Sequence, residues 1–504
     1  MNNNNYFNND HLRQNLKTRA IRGAGATIFA QSSNYAIQTV GTIVLARLLT
    51  PDDFGLITMV ATFSLLLQNF GVNGFTEAII QEDKIDHQKI SNLFWINISA
   101  SLILTLLFIA SSPLIAGFYK EPRLKFITIA MAFSIIFSGT STQHSALLKR
   151  NMQFYSTSII EISSAFLSTL IAIILAFHGW GYWSLVARRL LSPLTANIGS
   201  WIVCRWRPGL PSKRSNVMTM VKFALHTYGT FCTTYLRRNL DKILIGRVHG
   251  SEPLGFYDRA YHFSSILPNQ LTVPLTNVSI ATLSRLADNP KKYSQYLSTI
   301  LSTLAFISLP LSAILTLTGK DFICLLLGPQ WDKAGYIFSA LGPGVAMIVL
   351  YDTHGWLHIS FGRADRWLRW GIISFIATAI CFFIGLFFGP LGVAIAHSAS
   401  YYILICPAMW YAGKAGGIKL SLFISAVWKY FVAAIIAGLL SWMVLHVLPG
   451  SSVYFVQLNI FIRIITATCL CLVLYLVFIV ALFRSIDPIL QFIDVLREMK
   501  PRFH

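Results

Sequence analysis

Between Tyr235 and Val248 the sequence reads YLRRNLDKILIGRV, which places Arg237, Arg238, Asp241 and Lys242 within six consecutive residues. Planar guanidinium groups grip phosphate with two parallel hydrogen bonds, so the chemistry these residues suggest is anion binding. The flanking residues are those of a membrane-spanning helix. A charge at the bilayer centre costs roughly 3 kcal/mol or more, so such a helix cannot face lipid with this segment and must line a water-filled, positively charged cavity. Arg237 and Asp241 lie four apart and can pair along one helix face, which leaves a net charge of about +2 directed at the cavity. A large anion fits, and for a chain this apolar a phosphate-linked lipid is the expected one. The competing structural role is a helix end whose cations snorkel to headgroups or pair with acids elsewhere.

Other charged residues fall inside expected spans. Arg188 and Arg189 are near the middle of the sixth, with mostly apolar or small residues on both sides. Only one of two adjacent side chains can point fully into a cavity. The sixth span closes one half of the chain and the seventh opens the next, so both charge clusters can face one cleft. Glu77, Glu161 and Asp352 lie within or near the ends of spans two, five and ten. A buried carboxylate can carry a proton or hold Na⁺ as a coupling ion, and Glu161 suits this best; pairing with the buried arginines is the simpler role for all three. His354 and His358 are four apart, as two metal ligands on one face would be, but cysteines or carboxylates at a matching spacing are missing apart from Asp352. They are expected to be polar helix contacts, like His144, His226 and His397. Arg47 and Arg247 end the first spans of the two halves and precede the turns TPDDFG and SEPLG, whose acids suit helix capping or pairing with these arginines. There is no Walker A loop, no GxSxG and no acidic pair on a sizeable loop, which disfavours ATP-driven transport and catalysis by this chain. No cofactor is expected.

The elements that position these residues follow from composition. Hydrophobic residues make up 55% of 504 and charged ones 12%, with mean hydropathy +0.59. Apolar stretches of about 20 residues recur along the chain, the length a helix needs to cross a bilayer, whereas barrel strands would alternate over about 10. The expected fold is all-α, a polytopic membrane helix bundle of about 14 spans. Their centres lie near Gln38, Ser64, Thr105, Phe133, Leu167, Leu191, Tyr235, Leu267, Ile307, Ile348, Ile380, Ser400, Ile436 and Val473, the second, sixth and seventh being the most polar. The formal net charge is +20. Nucleic acid is excluded as its partner because Lys and Arg cluster in every second connection, for example Arg13 to Arg22, Arg205 to Arg214, Arg363 to Arg369 and Arg484 to Arg502. This alternation places both termini in the cytoplasm and makes anionic membrane lipids the partner of the excess charge. The opening MNNNNYFNND is a polar tail without the apolar region of a cleaved signal. The seven cysteines show no disulfide spacing and are expected to be small core residues.

A shift of 200 residues superposes Arg22 to Gly55 on Lys222 to Gly255 without a gap, best at ARLLTPDDFG and GRVHGSEPLG. The Gly-rich turns FHGWG and FFGPLG, from Phe177 and Phe387, form a second pair. Units of six spans return the chain to the same side, so they would be related by an axis along the membrane normal. The expected organisation is a cytoplasmic tail 1–21, a six-helix lobe 22–204, a basic cytoplasmic linker 205–216, a second six-helix lobe 217–416, two additional helices 417–484 and a cytoplasmic tail 485–504. The lobes are pseudo-symmetric. The longest outward connection, Gly319 to Gly335, is expected to lie in the interface or re-enter.

In six segments the chain resembles the polysaccharide and lipid-linked oligosaccharide flippases of the MOP exporter superfamily, particularly the Wzx-type exporters of colanic and teichuronic acid systems. LARLLTPDDFGLI (from Leu45), RNLDKILIGRVHGSEPLGFYDRAY (from Arg238), LPNQL (from Leu267), LSRLADNPKKY (from Leu283), LLGPQWDKA (from Leu326) and GWLHISFGRADRWLRWG (from Gly355) carry the resemblance. It implies a two-lobe bundle in the bacterial cytoplasmic membrane that rocks between inward-open and outward-open states. It implies a cationic cavity and movement of an undecaprenyl-diphosphate-linked oligosaccharide to the outer leaflet. It also implies H⁺ or Na⁺ and polysaccharide polymerase machinery as partners. A substrate role for Arg238, with Asn239 and Asp241 in support, rests on the RNLD match; Arg188 and Arg189 match no motif. A multidrug exporter of the same superfamily would need an acid in its first span, and Arg22 to Leu49 holds none. An integral-membrane polymerase or glycosyltransferase would need a larger outer loop.

Overall fold

The computed structural model describes residues 16–71, 75–76, 79–80, 82, 85–212, 217–448, 455, 457–490 and 492. Among them the chain is helical: α1 (Leu16–Leu48), α2 (Pro51–Gly71), α3 (His87–Ala110), α4 (Ser112–Tyr119), α5 (Leu124–Arg150), α6 (Phe154–Phe177), α7 (Tyr182–Cys204), α8 (Met218–His249), α9 (Ser251–Leu286), α10 (Pro290–Leu327), α11 (Asp332–Ser360), α12 (Ala364–Leu386), α13 (Gly389–Gly413), α14 (Leu420–His446) and α15 (Ile460–Phe483). All except the short α4 have at least 21 residues, enough at 1.5 Å per residue to cross about 30 Å of hydrocarbon. Every expected span centre falls inside one of these long helices. Ten of the helical segments are apolar enough to cross a membrane by length and composition. Below that level are α1, α7, α8 and α9; the second helix, expected among the most polar, is above it. The chain is thus a multi-pass membrane protein whose most polar long helices include both that carry the candidate arginines.

The helices assemble into two compact units, Met1–Gly255 and Phe256–His504. The first unit therefore takes in α8, which the repeat reading places at the start of the second lobe. Packing explains this: α8 lies against α2 and α4. Tyr228 donates its hydroxyl to the Leu66 carbonyl at 2.8 Å and packs edge-on against Phe70. Within the same unit α6 packs on α1 and α7, and α5 on α2, α3 and α7. The segment after α7 is pinned rather than a free linker. Trp206 is completely buried, donates to His87 Nδ1 at 3.1 Å, and its carbonyl meets His144 Nε2 at 3.1 Å; Trp95 and Asn92 bond the Gly209 and Ser212 carbonyls.

In the second unit α10 is the central helix, packed by α11, α14 and α15. The last two helices share its core: Tyr475 donates to the Phe306 carbonyl at 3.1 Å, Ser302 to that of Ala426 at 3.2 Å, and Arg463 pairs with Asp321 at 2.5 Å. The expected interfacial segment from Gly319 is instead the last turns of α10, because the run ICLLL continues the apolar helix until Gly328, at φ 107°, stops it. A 3₁₀ turn, Pro329–Trp331, then leads directly into α11. Of the seven free cysteines only Cys204 and Cys471 are buried; Cys406 and Cys469 are exposed on helix surfaces, contrary to a core role for all.

Candidate cationic site

α8 runs without a break through the charged segment, since leucine, arginine, lysine and isoleucine all tolerate the helix interior. Asp241 is buried, 2% exposed, and its Oδ1 accepts the Lys242 backbone N–H at 2.9 Å. Asn239 turns its amide back to the Tyr235 carbonyl at 2.8 Å. Arg237 is half-buried and Arg238 exposed, and among the described residues neither makes a hydrogen bond or an ion pair. The expected Arg237 to Asp241 pair is therefore not formed: the carboxylate is buried and accepts its neighbour's backbone N–H, while Arg237 is half-buried. Both guanidinium groups keep their donors for another partner. One and two turns earlier, Tyr228, Phe231 and Tyr235 form an aromatic ladder with ring centroids 6.1 and 5.5 Å apart.

Arg188 and Arg189 lie on α7, the first half-buried and the second exposed, and both are engaged by neighbouring groups. Pro193 inside the helix supplies no N–H, which frees the carbonyl of Arg189 and weakens the helix there. One turn on, Ser164 donates to the Ser192 carbonyl and Thr195 to Ser164 at 3.0 Å. α2 packs on both α7 and α8, so the two arginine pairs belong to neighbouring parts of the first unit. The carboxylates do not join them. Glu161 is exposed on the second turn of α6, and Asp352 is exposed on α11 with a neighbouring group engaged; the burial expected of a coupling site is not found at either. Glu77 lies outside the described residues.

Four of the histidines are helix contacts, as expected, whereas His226 is exposed on α8. His144 packs on Trp201 at 4.2 Å, His397 stacks on Phe382 at 6.0 Å, and His354 and His358 pack edge-on at 5.9 Å among Tyr351, Trp370 and Tyr411. No cluster of three metal-ligating side chains occurs among the described residues.

Sequence reasoning missed a charged clasp at the other end of α2. Arg123 forks onto Glu121 at 2.8 and 2.9 Å and reaches Asp52 at 2.7 Å, while Asp52 also accepts the Ser251 hydroxyl. Asp52 thus pairs with Arg123 and not with the arginines that end the first spans, whereas Asp53 does cap α2 through Thr50 at 2.9 Å. The Arg123 fork holds the Glu121 carboxyl below its usual range, and Glu121, then Asp52, push the Arg123 guanidinium up. Beside the clasp the backbones touch: an added Cβ at Gly55 would lie 1.8 Å from the Ser251 carbonyl oxygen, and one at Gly255 would lie 1.8 Å from that of Pro51. These reciprocal contacts are related by the same 200-residue shift as the sequence repeat. A second missed pair on α9 joins buried Asp258 to half-buried Arg259. Adjacent opposite charges inside an apolar span were its signal.

The fold resembles those of solved membrane transporters. The structure of a lipid II flippase MurJ in an inward-closed conformation aligns with TM-score 0.71 over 93% of this chain and 100% of its own, at 16% identity. An inward-facing multidrug MATE transporter of the MOP superfamily gives 0.57 over 79% and 99%, at 14% identity. The family described as Polysaccharide biosynthesis protein matches residues 44–335, more than half of the chain, and the chain belongs to it. Its relatives include the succinoglycan biosynthesis transport protein ExoT of Rhizobium meliloti, 24% identical over 97% of both chains. The teichuronic acid biosynthesis protein TuaB of Bacillus subtilis is 25% identical over 85% of this chain and 89% of its own. The lipopolysaccharide biosynthesis protein WzxC of Escherichia coli is 23% identical over 86% and 89%. The Wzx-type resemblance read from the motifs therefore holds.

Proposed function

We propose that this protein is a flippase that moves an undecaprenyl-diphosphate-linked oligosaccharide from the inner to the outer leaflet of the bacterial cytoplasmic membrane by alternating access, and that it is not an enzyme. Arg237, Arg238 and Lys242, with Arg188 or Arg189, bind the diphosphate; Asn239 and Asp241 support them on α8. The observation that carries this reading is the pair of guanidinium groups on α8 without a protein partner among the described residues, in a helix too charged to face lipid. Relatives named for transport or biosynthesis of exported polysaccharides agree with it, as does the MurJ-like fold. A bare diphosphate loses its hydration in hydrocarbon, and cationic side chains in a wet site replace that hydration. The positive charge argues against a cationic drug as substrate. Both termini face the cytoplasm in this reading, and the driving ion is H⁺ or Na⁺.

The test is flipping of a fluorescent undecaprenyl-diphosphate oligosaccharide in proteoliposomes by the native chain and by Arg238→Ala. Losing one charge-assisted contact of about 2 kcal/mol should slow flipping roughly thirtyfold while the protein stays folded. Equal rates in the two proteins would refute the role of Arg238, and no flipping by the native chain with several glycans under either ion gradient would refute the substrate.

A further inference from the structure

We propose a second anion site, for the phosphate of a membrane lipid, at the clasp end of the first unit and separate from Arg237 and Arg238. A cavity of about 720 Å³ opens there between the end of α4 and the end of α8, lined by Tyr119, Lys120, Arg247 and His249. Lys120 occupies a left-handed position, φ 57°, that stops α4, and Arg247 lies over the Phe118 ring at 5.5 Å. Each helix C-terminus contributes about half a negative charge, against a full positive charge on Lys120 and on Arg247, so the cavity remains cationic.

None of the nearby acids lines the cavity: Glu121 and Asp52 are turned to Arg123, and Asp53 to Thr50. Glu252, on the first turn of α9, is exposed and does not line the cavity. A second observation points to a ligand. Tyr119 is 4% exposed and lines the cavity, yet its hydroxyl has no hydrogen-bond partner among the described residues. A buried hydroxyl left unpaired is costly, and a phosphate oxygen would accept its proton. The rim favours a lipid over a free anion, because Leu114, Phe118 and Val248 are exposed beside the cations and offer an apolar bed for an acyl or prenyl chain. The site does not rest on the transport reading. Its occupant is a phosphate carried on a hydrocarbon tail, either a bulk anionic phospholipid or the carrier lipid itself.

The experiment is native mass spectrometry of the detergent-solubilised full chain titrated separately with phosphatidylglycerol, undecaprenyl diphosphate and diacylglycerol. The native protein is compared with Lys120→Gln/Arg247→Gln and with Tyr119→Phe. Loss of two charge-assisted contacts should weaken the apparent affinity at least about thirtyfold, and loss of the hydroxyl about threefold, with diacylglycerol binding unchanged. A fall for phosphatidylglycerol identifies bulk lipid; a fall for undecaprenyl diphosphate alone identifies the carrier. Unchanged occupancy of both phosphate lipids overturns the site, as does an equal fall for diacylglycerol. If the double variant melts well below the native protein, Tyr119→Phe, which leaves charge and shape intact, decides by the same criteria.

Discussion

The reciprocal contact of Gly55 with Ser251 and of Gly255 with Pro51 leads to a quantitative expectation for three variants. A Cβ 1.8 Å from a carbonyl oxygen is more than 1 Å inside the shortest separation that real side chains show, and backbone cannot rotate away as a side chain can. Gly55→Ala must therefore push the first turn of α9 from α2, strain the bond from the Ser251 hydroxyl to Asp52 and weaken the clasp. Overpacking of this kind costs about 1–3 kcal/mol. Gly255→Ala demands the same separation from the other side of the contact. Once one methyl group has opened the gap, the second fits it, so the double variant should cost little more than either single one, a coupling of about 1–2 kcal/mol. The assay is thermal unfolding of the four purified proteins as a double-mutant cycle. It is paired with disulfide formation between cysteines placed at 52 and 251, which should fall in each alanine background. Additive losses, or single variants as stable as the native chain, would refute the claim that the two contacts act as one.

Three further outcomes are expected. Arg123→Gln removes the partner that depresses Glu121; because a lowered carboxyl adds stability above its ordinary value of 4.5 and loses it as pH falls through the folded-state value, the native chain should lose stability on acidification from pH 6 to pH 3 more steeply than the variant, as melting curves will show. Arg463→Met leaves Asp321 unpaired at the α10–α15 contact and should destabilise the second unit by about 3 kcal/mol, whereas Arg463→Met with Asp321→Leu recovers most of it, measured by denaturation in mixed micelles. Glu161→Gln should leave flipping within about twofold of native under a proton gradient, since Glu161 makes no ion pair with the arginines among the described residues; a tenfold loss would restore it as a coupling residue.

Much of the fold was legible because its signals are local. A span needs a run of apolar residues, so all the long helices could be located by their centres, and alternating basic connections set the expected topology. Pairing was less legible. The Arg237 to Asp241 spacing permits an ion pair, but in the folded chain the acid is buried and the two do not pair, which no spacing rule encodes. The same holds for Arg123, which joins its near neighbour Glu121 to Asp52, a residue 71 positions away.

What the sequence determined by itself was the all-helical membrane class, the concentration of positive charge on the seventh span and membership of a polysaccharide-biosynthesis family, since each depends on residue type within a short window. Tertiary structure alone decided that α8 is held with the first unit and that Trp206 anchors the linker. It also decided that the last two helices belong to the core of the second unit, and that two glycines let backbones meet at the clasp. These depend on which helix surfaces meet, and side chains distant in the chain settle that by filling space together.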